Sequence, residues 1–410
     1  MLNCDITSYG AIGDGKTLNT TAIQAAIDDC ARCGGGRVTV PDGAFVTGSI
    51  EMRSNVEVHI EAGGILYGSG DCKDYPERQN LRHVDAAFLP RRRSASLIFA
   101  EECENIALTG PGRIDGQGDR FVRPVENSWM PYKQLDLPTP PRVVFFAGCS
   151  NVRVDGLTLQ NSPGGWAFWV HDCDEVSFDR VNIRAKVEYP NNDGIHINCS
   201  RNVTVSNCNI TCGDDCIIVR ANTSSLREKK ACDGVTVTNC NLTTWCNAIR
   251  VGWLNDGVIR NCVFSNLVIR RSGTGIGISL PSRSAEPPES DDTLIENLTF
   301  SNIVMDEMAH YPIFIEIHAA ETTRCRAVRN LLFSGIQARA HRAPFISGRA
   351  NCPIENVTFA DCRFEKSPAA REGERIRWGA ARYEPVPYQT VVIRNVENLV
   401  MNNTTFSLPE

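Results

Sequence analysis

Three aspartates between residues 191 and 220 have the types and spacing that sugar chemistry requires. Asp193 follows two asparagines, and 21 residues later the adjacent Asp214 and Asp215 follow a glycine. If these segments stack as neighbouring coils about 4.8 Å apart, the three carboxylates come together on one face. Their mutual repulsion raises the pKa of at least one, so that a protonated acid lies beside ionised carboxylates. Hydrolysis of a glycosidic bond uses this combination.

Two other uses of clustered aspartates stay open. Carboxylates at the turns of a solenoid protein can bind calcium, which would make the cluster a metal site. A purely structural role is the second alternative, although a Gly-Asp-Asp sequence on a β-rich coil gains no packing energy. We expect a functional site that uses no metal ion and no cofactor.

The elements that would position these aspartates are repeated strands. Each repeat alternates apolar and polar residues after an asparagine, which is typical of a half-buried strand. From residue 152 to residue 357 the copies, weaker ones included, lie 24 to 36 residues apart. The sequence therefore predicts an all-β fold, one right-handed parallel β-helix of about ten or eleven coils with its asparagines stacked in a ladder. The clear copies begin at Asn55, Asn105, Asn151, Asn202, Asn297, Asn330, Asn356 and Asn398.

We expect residues 1–410 to form a single domain with a cap and two insertions. Residues 20–33 have the apolar periodicity of a helix and end at three glycines, so residues 1–36 are predicted to cap the first coil. Residues 119–141 and 281–292 interrupt the coils and would line a cleft, or else remain solvated surface loops.

The amino-acid composition limits the kinds of molecule that this protein is expected to bind. The chain has 42 Lys and Arg against 48 Asp and Glu, a net charge of −6, which disfavours nucleic acid. It has no apolar run of the roughly 18 residues that span a membrane. Its N-terminus has no secretion signal, so we expect a cytoplasmic protein, or a secreted one if a signal was removed. The eighteen cysteines lack regular ligand spacing and are predicted to be reduced core residues.

At these motifs the chain resembles family 28 of the glycoside hydrolases, the polygalacturonase-like β-helix enzymes. Residues 191–193 are similar to the family's Asn-Thr-Asp, and residues 213–215 to its Gly-Asp-Asp. The resemblance implies an inverting hydrolase of a carbohydrate substrate. In that reaction Asp214 would protonate the leaving oxygen, while Asp193 and Asp215 would activate the attacking water.

Two signatures of the family are missing, which changes the expected substrate. Residues 246–252 replace the family's Gly-His-Gly, and residues 275–280 replace its Arg-x-Lys, which holds a galacturonate carboxylate. With the net negative charge, this favours a short oligosaccharide or small glycoside derived from plant cell wall. Exo-galacturonidase or polygalacturonase action on pectic oligosaccharides is the alternative, and insertions that close one end of the cleft would favour exo action.

Eight residues are candidates for binding the substrate. The two arginines would hold a sugar carboxylate, or else pair with the catalytic carboxylates and lower their pKa values. His196, three residues after Asp193, is expected to face the other way, and a scaffold role is its alternative. The eight candidates are Asn191, His196, Arg220, Asn247, Arg250, Trp253, Glu316 and His318.

Two further classes of function stay open. A β-helix lyase would use a Lys or Arg base, often with calcium, and a glycosyl or fructosyl transferase would form an anhydride without consuming water. A binding or structural β-helix without catalysis is the last class, and the presence of all three aspartates argues against it. The sequence does not indicate the oligomeric state.

Overall fold

The computed structural model describes most of the chain, and the described residues pack into two compact units. The first unit comprises Met1–His196, Arg201–Gly213 and Ser225–Arg227, and the second Ile197–Ser200, Asp214–Ser224 and Glu228–Glu410. The prediction of a single domain stays a prediction. The described residues are 2–78, 81–82, 94–126, 131–134, 142–163, 165–253, 256–281, 292–318, 323–367 and 391–407.

The first unit is built from short strands that pair in parallel with the strand one coil away. We call sheet B the row of strands Ile50–Glu51, Ser96–Glu101, Arg142–Ala147 and Phe168–His171. Apart from the hairpin within residues 122–134 and strand Ile195–Asn198, the other described strands of this unit belong to what we call sheet A. They are Leu2–Asp5, Asp14–Leu18, Gly36–Val40, Gly43–Thr47, Val56–Ile60, Gly64–Gly68, Glu104–Thr109, Arg113–Asp115, Ser150–Asp155, Thr158–Gln160, Asp174–Asp179, Asn182–Arg184, Arg201–Ser206 and Asn209–Cys212.

The second unit repeats this arrangement. Its sheet B strands are Ile217–Arg220, Asn247–Val251, Thr274–Leu280, Ile313–Ile317, Phe345–Ser347 and Val392–Arg394. Its sheet A strands are Cys232–Thr238, Asn241–Thr244, Val258–Arg270, Thr293–Met308, Cys325–Ala340, Ile354–Ala360, Arg363–Lys366, Val396–Asn402 and Thr405–Ser407. Strand Ile195–Asn198 contains the first of several points at which the chain passes from one unit to the other.

The register of the coils keeps like residues above one another. In sheet A of the second unit, Phe264, Phe300 and Phe333 are paired in register, and their rings stack with centroids 5.0 and 5.1 Å apart. Alternate residues of each strand point inward and are buried, as the period-2 pattern predicts. The predicted all-β fold, a right-handed parallel β-helix, is confirmed.

The N-terminal cap has the predicted helix. It spans Thr20–Arg32 and buries Ile23, Ala26, Ile27 and Cys30. Gly34 has a φ of 94°, a left-handed conformation that glycine adopts without strain. Two 3-10 turns, Ile6–Tyr9 and Cys72–Asp74, also lie in this unit, and a third spans Gly118–Arg120. Within the described residues, no helix has the length and apolar character that crossing a membrane demands.

The asparagine ladder is confirmed in both units. In the second unit the amide of Asn330 donates to Asn297 at 2.9 Å, and Asn356 donates to Asn330 at the same distance. In the first unit Asn105 donates to Asn55 at 2.8 Å. These asparagines have positive φ, between 54° and 63°. Asparagine tolerates this conformation better than other residues with a Cβ, so the ladder position selects it.

Most cysteines are core residues, as predicted. Sixteen are free thiols, and only Cys33 and Cys72 among them are not buried. The prediction is wrong for Cys325 and Cys352, which form a disulfide. Seven buried cysteines share one turn geometry, in which the preceding residue has positive φ and the thiol donates to the carbonyl two residues back. These are Cys103, Cys149, Cys173, Cys208, Cys240, Cys262 and Cys362.

Candidate active site

Asp215 lies at the start of a sheet B strand of the second unit, where its carboxylate is fully enclosed. Its side chain has no exposed surface, and its Oδ2 is 2.5 Å from Nη1 of Arg250. Its Oδ1 accepts from the backbone and side-chain amides of Asn247 at 3.1 and 2.6 Å. A buried charge requires a paired partner and hydrogen bonds, and both are present here.

These contacts keep Asp215 ionised. Burial acts to raise the pKa of this carboxyl, but the charge of Arg250 and the hydrogen bonds from Cys246, Arg250 and Asn247 outweigh it, so the pKa lies below its ordinary value. Asp215 therefore carries a fixed negative charge at neutral pH.

Asp214 has a different environment although it is the next residue. It is 9% exposed, and its Oδ1 accepts the backbone N–H of Asp215 at 3.1 Å. Its carbonyl accepts the hydroxyl of Thr244, which fixes the backbone. Division of labour between an acid and a base requires two carboxyls in contrasting surroundings. Asp214 and Asp215 meet that requirement within one unit.

Arg250 is held in place by its neighbours on sheet B. Its guanidinium carbon lies 3.7 Å from the ring centroid of Trp253, a cation–π contact. Its register partner on the next strand is Gly277, where an added Cβ would lie 2.8 Å from the side-chain oxygen of Asn247. Gly277, which lies in the stretch that lacks the Arg-x-Lys signature, thus leaves space for the side-chain amide of Asn247. That amide binds Asp215.

The same cluster has three possible metal ligands, but its chemistry suits a cation poorly. Ligand atoms of Asp214, Asp215 and Cys246 lie within 4.8 Å of one another. Burial and the two aspartates raise the pKa of the Cys246 thiol well above its ordinary value, whereas a metal ligand must be a thiolate. Arg250 already neutralises Asp215, so a metal ion would have to displace it.

Asp193 lies in the first unit with His196. Both are 5% exposed, and Nδ1 of His196 is 3.8 Å from Oδ2 of Asp193. The expectation that His196 faces away from Asp193 is therefore wrong. The reason is the bend at residues 191–194, since strict alternation applies only from Ile195, where the strand begins. The His196 ring stacks on Trp166 with centroids 3.8 Å apart.

Trp166 packs against a buried aromatic cluster that the sequence did not predict. The guanidinium carbon of Arg142 contacts both indoles, 4.7 Å from the ring centroid of Trp166 and 4.1 Å from that of Trp169. Trp169 stacks on Phe145 with centroids 4.2 Å apart. The repeat pattern gave one signal, because Phe145 and Trp169 occupy equivalent positions of adjacent strands. Arg142 and Trp166 lie outside that pattern.

The loop before Asp193 is fixed by an asparagine that was not singled out for this role. Asn192 is fully buried, donates to the carbonyl of Lys186 at 2.8 Å and accepts the N–H of Gly213 at 2.6 Å. Asn191 has a φ of 55°, so its side chain is turned away from a regular strand direction. Within the Asn-Asn-Asp motif, Asn192 therefore fixes the conformation of the loop, and Asp193 follows directly after it.

The first insertion contacts this loop. Its described part contains an antiparallel hairpin of strands Val122–Pro124 and Tyr132–Gln134. The ring of Tyr132 packs edge-on against Tyr189 with centroids 4.9 Å apart, and Asp119 binds Lys186 at 2.8 Å. Residues 127–130 and 135–141, with Trp129 and Pro138, and nearly all of the insertion 281–292 lie outside the described residues.

The remaining candidates lie on sheet B of the second unit. Nε of Arg220 is 2.7 Å from Oδ2 of Asp256, a fully buried carboxylate that also accepts the N–H of Trp253. Glu316 is 7% exposed and pairs in register with Ser279 and Ser347. The backbone of His318 donates to Leu280 at 3.0 Å. The charge of Arg220 is engaged by Asp256, a partner 36 residues away that sequence reasoning missed.

Comparison with known proteins assigns the family. The sequence profile of glycosyl hydrolases family 28 matches residues 30–382. A probable polygalacturonase of Vitis vinifera is 30% identical over 227 residues, 53% of this chain and 44% of that protein. An exopolygalacturonase of Zea mays is 26% identical over 379 residues, 88% of this chain and 83% of that protein. The structure of a hyperthermoactive exopolygalacturonase from Thermotoga maritima has the same fold, with a TM-score of 0.74 and 20% identity over 98% of this chain and 92% of that one. The chain therefore belongs to family 28 of the glycosyl hydrolases and is a glycosidase.

Proposed function

We propose that this enzyme hydrolyses short pectic oligosaccharides from one end, with inversion at the anomeric carbon. The observation that carries the catalytic part is the contrast between two adjacent carboxyls: the Asp215 side chain has no exposed surface and is held by Arg250, whereas Asp214 is 9% exposed and accepts the N–H of Asp215. The names of the maize and grapevine relatives support a pectic substrate.

In this proposal Asp214 is the general acid that protonates the leaving oxygen. Asp215 supplies a fixed negative charge that favours the positive charge developing on the sugar ring, since its own oxygens are occupied by Arg250 and Asn247. Asp193 takes the proton of the attacking water, a role that rests on the Asn-Asn-Asp motif. His196, at 3.8 Å from Asp193, orients that carboxylate.

The missing Arg-x-Lys signature affects the length of oligosaccharide that we expect the enzyme to bind. Arg250 lies in register with the position of that signature, but it is paired with Asp215. A long polyanion would therefore find fewer cations on sheet B than the family signature supplies, which favours short substrates. The hairpin packed against Tyr189 supports action at a chain end, because an insertion beside Asp193 limits how far a substrate extends.

The test is a comparison of Asp214→Asn with Asp306→Asn. Asp306 lies in the same unit, on sheet A, and pairs with Arg339 at the surface. Activity on galacturonate oligomers and on neutral glycosides would be followed by NMR of the product anomers. We expect Asp214→Asn to lose about 10³-fold in kcat and Asp306→Asn to keep its activity, because general acid catalysis contributes 10²–10⁴-fold.

Four outcomes would overturn the proposal. Near-full activity of Asp214→Asn would remove the assigned acid, and a retained anomeric configuration would remove the inverting mechanism. An unsaturated product that absorbs ultraviolet light would indicate a lyase, and an anhydride would indicate a transferase.

The cellular location also stays a prediction. The disulfide between Cys325 and Cys352 favours an oxidising compartment, whereas sixteen free thiols favour a reducing one.

A further inference from the structure

The second unit contains a cavity that is lined by none of the candidate catalytic or substrate-binding residues. Its volume is about 450 Å³, and it lies where strands of sheet B turn into strands of sheet A. Asp215 precedes strand Ile217–Arg220, and Thr223, at the cavity wall, follows it. A strand of four residues spans roughly 13 Å, so the cavity and the catalytic aspartates lie at opposite ends of the same strand.

Cationic side chains predominate among the described residues of the cavity wall. Four of these residues are cationic and one is acidic, although the chain as a whole has a net charge of −6. Cations gathered in one concavity focus a positive potential, which attracts anions. The described residues of the wall are Thr223, Lys229, Lys230, Ala231, Gly257, Val258, Asp292, Arg324 and Arg326.

The four cations belong to chain segments that lie several coils apart. Lys229 and Lys230 follow the sheet B strand Ile217–Arg220, and Arg324 and Arg326 follow Ile313–Ile317, the fourth strand of that row. With coils about 4.8 Å apart, the cavity extends over roughly 14 Å. An extended ligand with several negative charges reaches both pairs at once, and a single small anion does not.

The apolar part of the wall also suits a sugar. Ala231, Gly257 and Val258 contribute small apolar groups, and Thr223 contributes a hydroxyl. Ligand sites of this size, roughly 300–1,000 Å³, combine such surfaces with a few polar groups that fix orientation.

We propose that this cavity is a second carbohydrate site, which binds two or more consecutive uronate residues of an oligosaccharide through their carboxylates. The choice of ligand rests on the proposed pectic substrate, whereas the site itself rests on the cavity and its charge. A site of this kind retains a short uronate oligosaccharide near the enzyme between cleavage events.

The experiment uses isothermal titration of trigalacturonate into the full-length Asp214→Asn protein. The pocket variant adds Lys230→Gln and Arg326→Gln, and the matched control adds Arg270→Gln and Arg363→Gln, two exposed arginines of the same unit outside the cavity. We expect the pocket variant to lose one binding event, with at least about tenfold weaker affinity, and the control to keep it. The affected event should weaken between low and high salt, as ion pairing requires. Thermal melting checks that both variants are folded.

Two outcomes would overturn the inference. Equal binding by the pocket and control variants would show that the cavity takes no uronate. Displacement of trigalacturonate by inorganic phosphate at equal concentration would show a simple anion site. Pocket-dependent binding in a protein whose wild-type form hydrolyses no pectic oligosaccharide would refute the proposed function and leave this site standing.

Discussion

A single ion pair keeps the buried carboxyl of Asp215 ionised. Asp215 has no exposed surface, and Arg250 is the charge that offsets its burial. Desolvation and the arginine act in opposite directions on the same carboxyl, and the arginine prevails. Removal of the arginine leaves desolvation opposed only by the hydrogen bonds from Cys246 and Asn247, which shifts the balance toward the neutral acid.

Arg250→Gln should therefore shift the pH dependence of catalysis. In the wild type the lowered pKa of Asp215 means that its contribution to stability is complete above about pH 4, its ordinary pKa, and is lost as the pH falls through the folded-state value. In the variant burial raises that pKa, so the acidic limb of kcat/KM should move to higher pH by one unit or more. Arg250→Lys, which keeps the charge, should move it less.

A pH–rate profile of the three proteins, with stability followed by urea unfolding, checks this prediction. An unchanged acidic limb in Arg250→Gln would show that Asp215 does not titrate in that limb. The variant should also lose several kcal/mol of stability at neutral pH, because an unpaired buried charge costs roughly 3–5 kcal/mol.

At this scale the sequence predicted the aspartates but not all of their partners. Asp193, Asp214 and Asp215 were identifiable because a short motif and a coil-length spacing coincide. The pairing of Arg250 with Asp215 was one of two alternatives that the sequence left open. The Arg220–Asp256 pair and the Trp166–His196 stack were not foreseen, because variable turn lengths hide which residues of neighbouring coils meet.

Among the elements, the hairpin of the first insertion has the clearest effect on the site. It contacts the segment that ends in Asp193 through the Tyr132–Tyr189 ring pair. From the turn before the hairpin, Asp119 pairs with Lys186 and accepts the hydroxyl of Tyr189. The ion pair is exposed and contributes little, whereas an aromatic pair contributes about 0.5–1.5 kcal/mol beyond its buried area. The rings are therefore the principal attachment.

Tyr132→Ala should loosen this hairpin and raise KM for oligosaccharides by several-fold, up to about tenfold, with kcat nearly unchanged. Tyr132→Phe is the matched control, because it keeps the ring and loses only the hydroxyl. Steady-state kinetics on galacturonate oligomers of increasing length measure the effect. A fall in kcat without a change in KM would instead place the hairpin in the chemical step.

The sequence predicted some secondary-structure elements in detail and others only as insertions. The period-2 pattern identified the strands of sheet A, and glycines identified the end of the helix near Arg32. The hairpin 122–134 was recognised only as an insertion, because its strands carry no repeat asparagine and too few apolar residues to show alternation.

Across the whole molecule, the asparagine ladder ties successive coils of each unit. In the second unit each ladder asparagine donates to the coil before it and accepts from the coil after it, as Asn330 does with Asn297 and Asn356. Its φ of 58° adds a second requirement, since most residues adopt that conformation at a cost. The hydrogen bonds and the backbone conformation thus both favour asparagine at this position.

Two substitutions of Asn330 separate these contributions. Asn330→Gly loses the ladder hydrogen bonds and keeps the backbone, so we expect a loss of about 1–2 kcal/mol. Asn330→Ala loses both, with an additional 1–2 kcal/mol of strain, roughly. Urea unfolding followed by circular dichroism measures both variants. Equal stability of the two would mean that the left-handed conformation imposes no strain here.

The buried thiols allow the unfolding of this protein to be followed by chemical labelling. Alkylating reagents attack thiolates that they can reach, and burial denies access while it raises the thiol pKa, to about 12 for Cys262. Of the sixteen free thiols only Cys33 and Cys72 are outside the core. The folded protein should therefore take up label at these two sites and the unfolded protein at all sixteen. Because most coils carry their own cysteine, the order in which the others become reactive during unfolding would record, coil by coil, where the solenoid opens first.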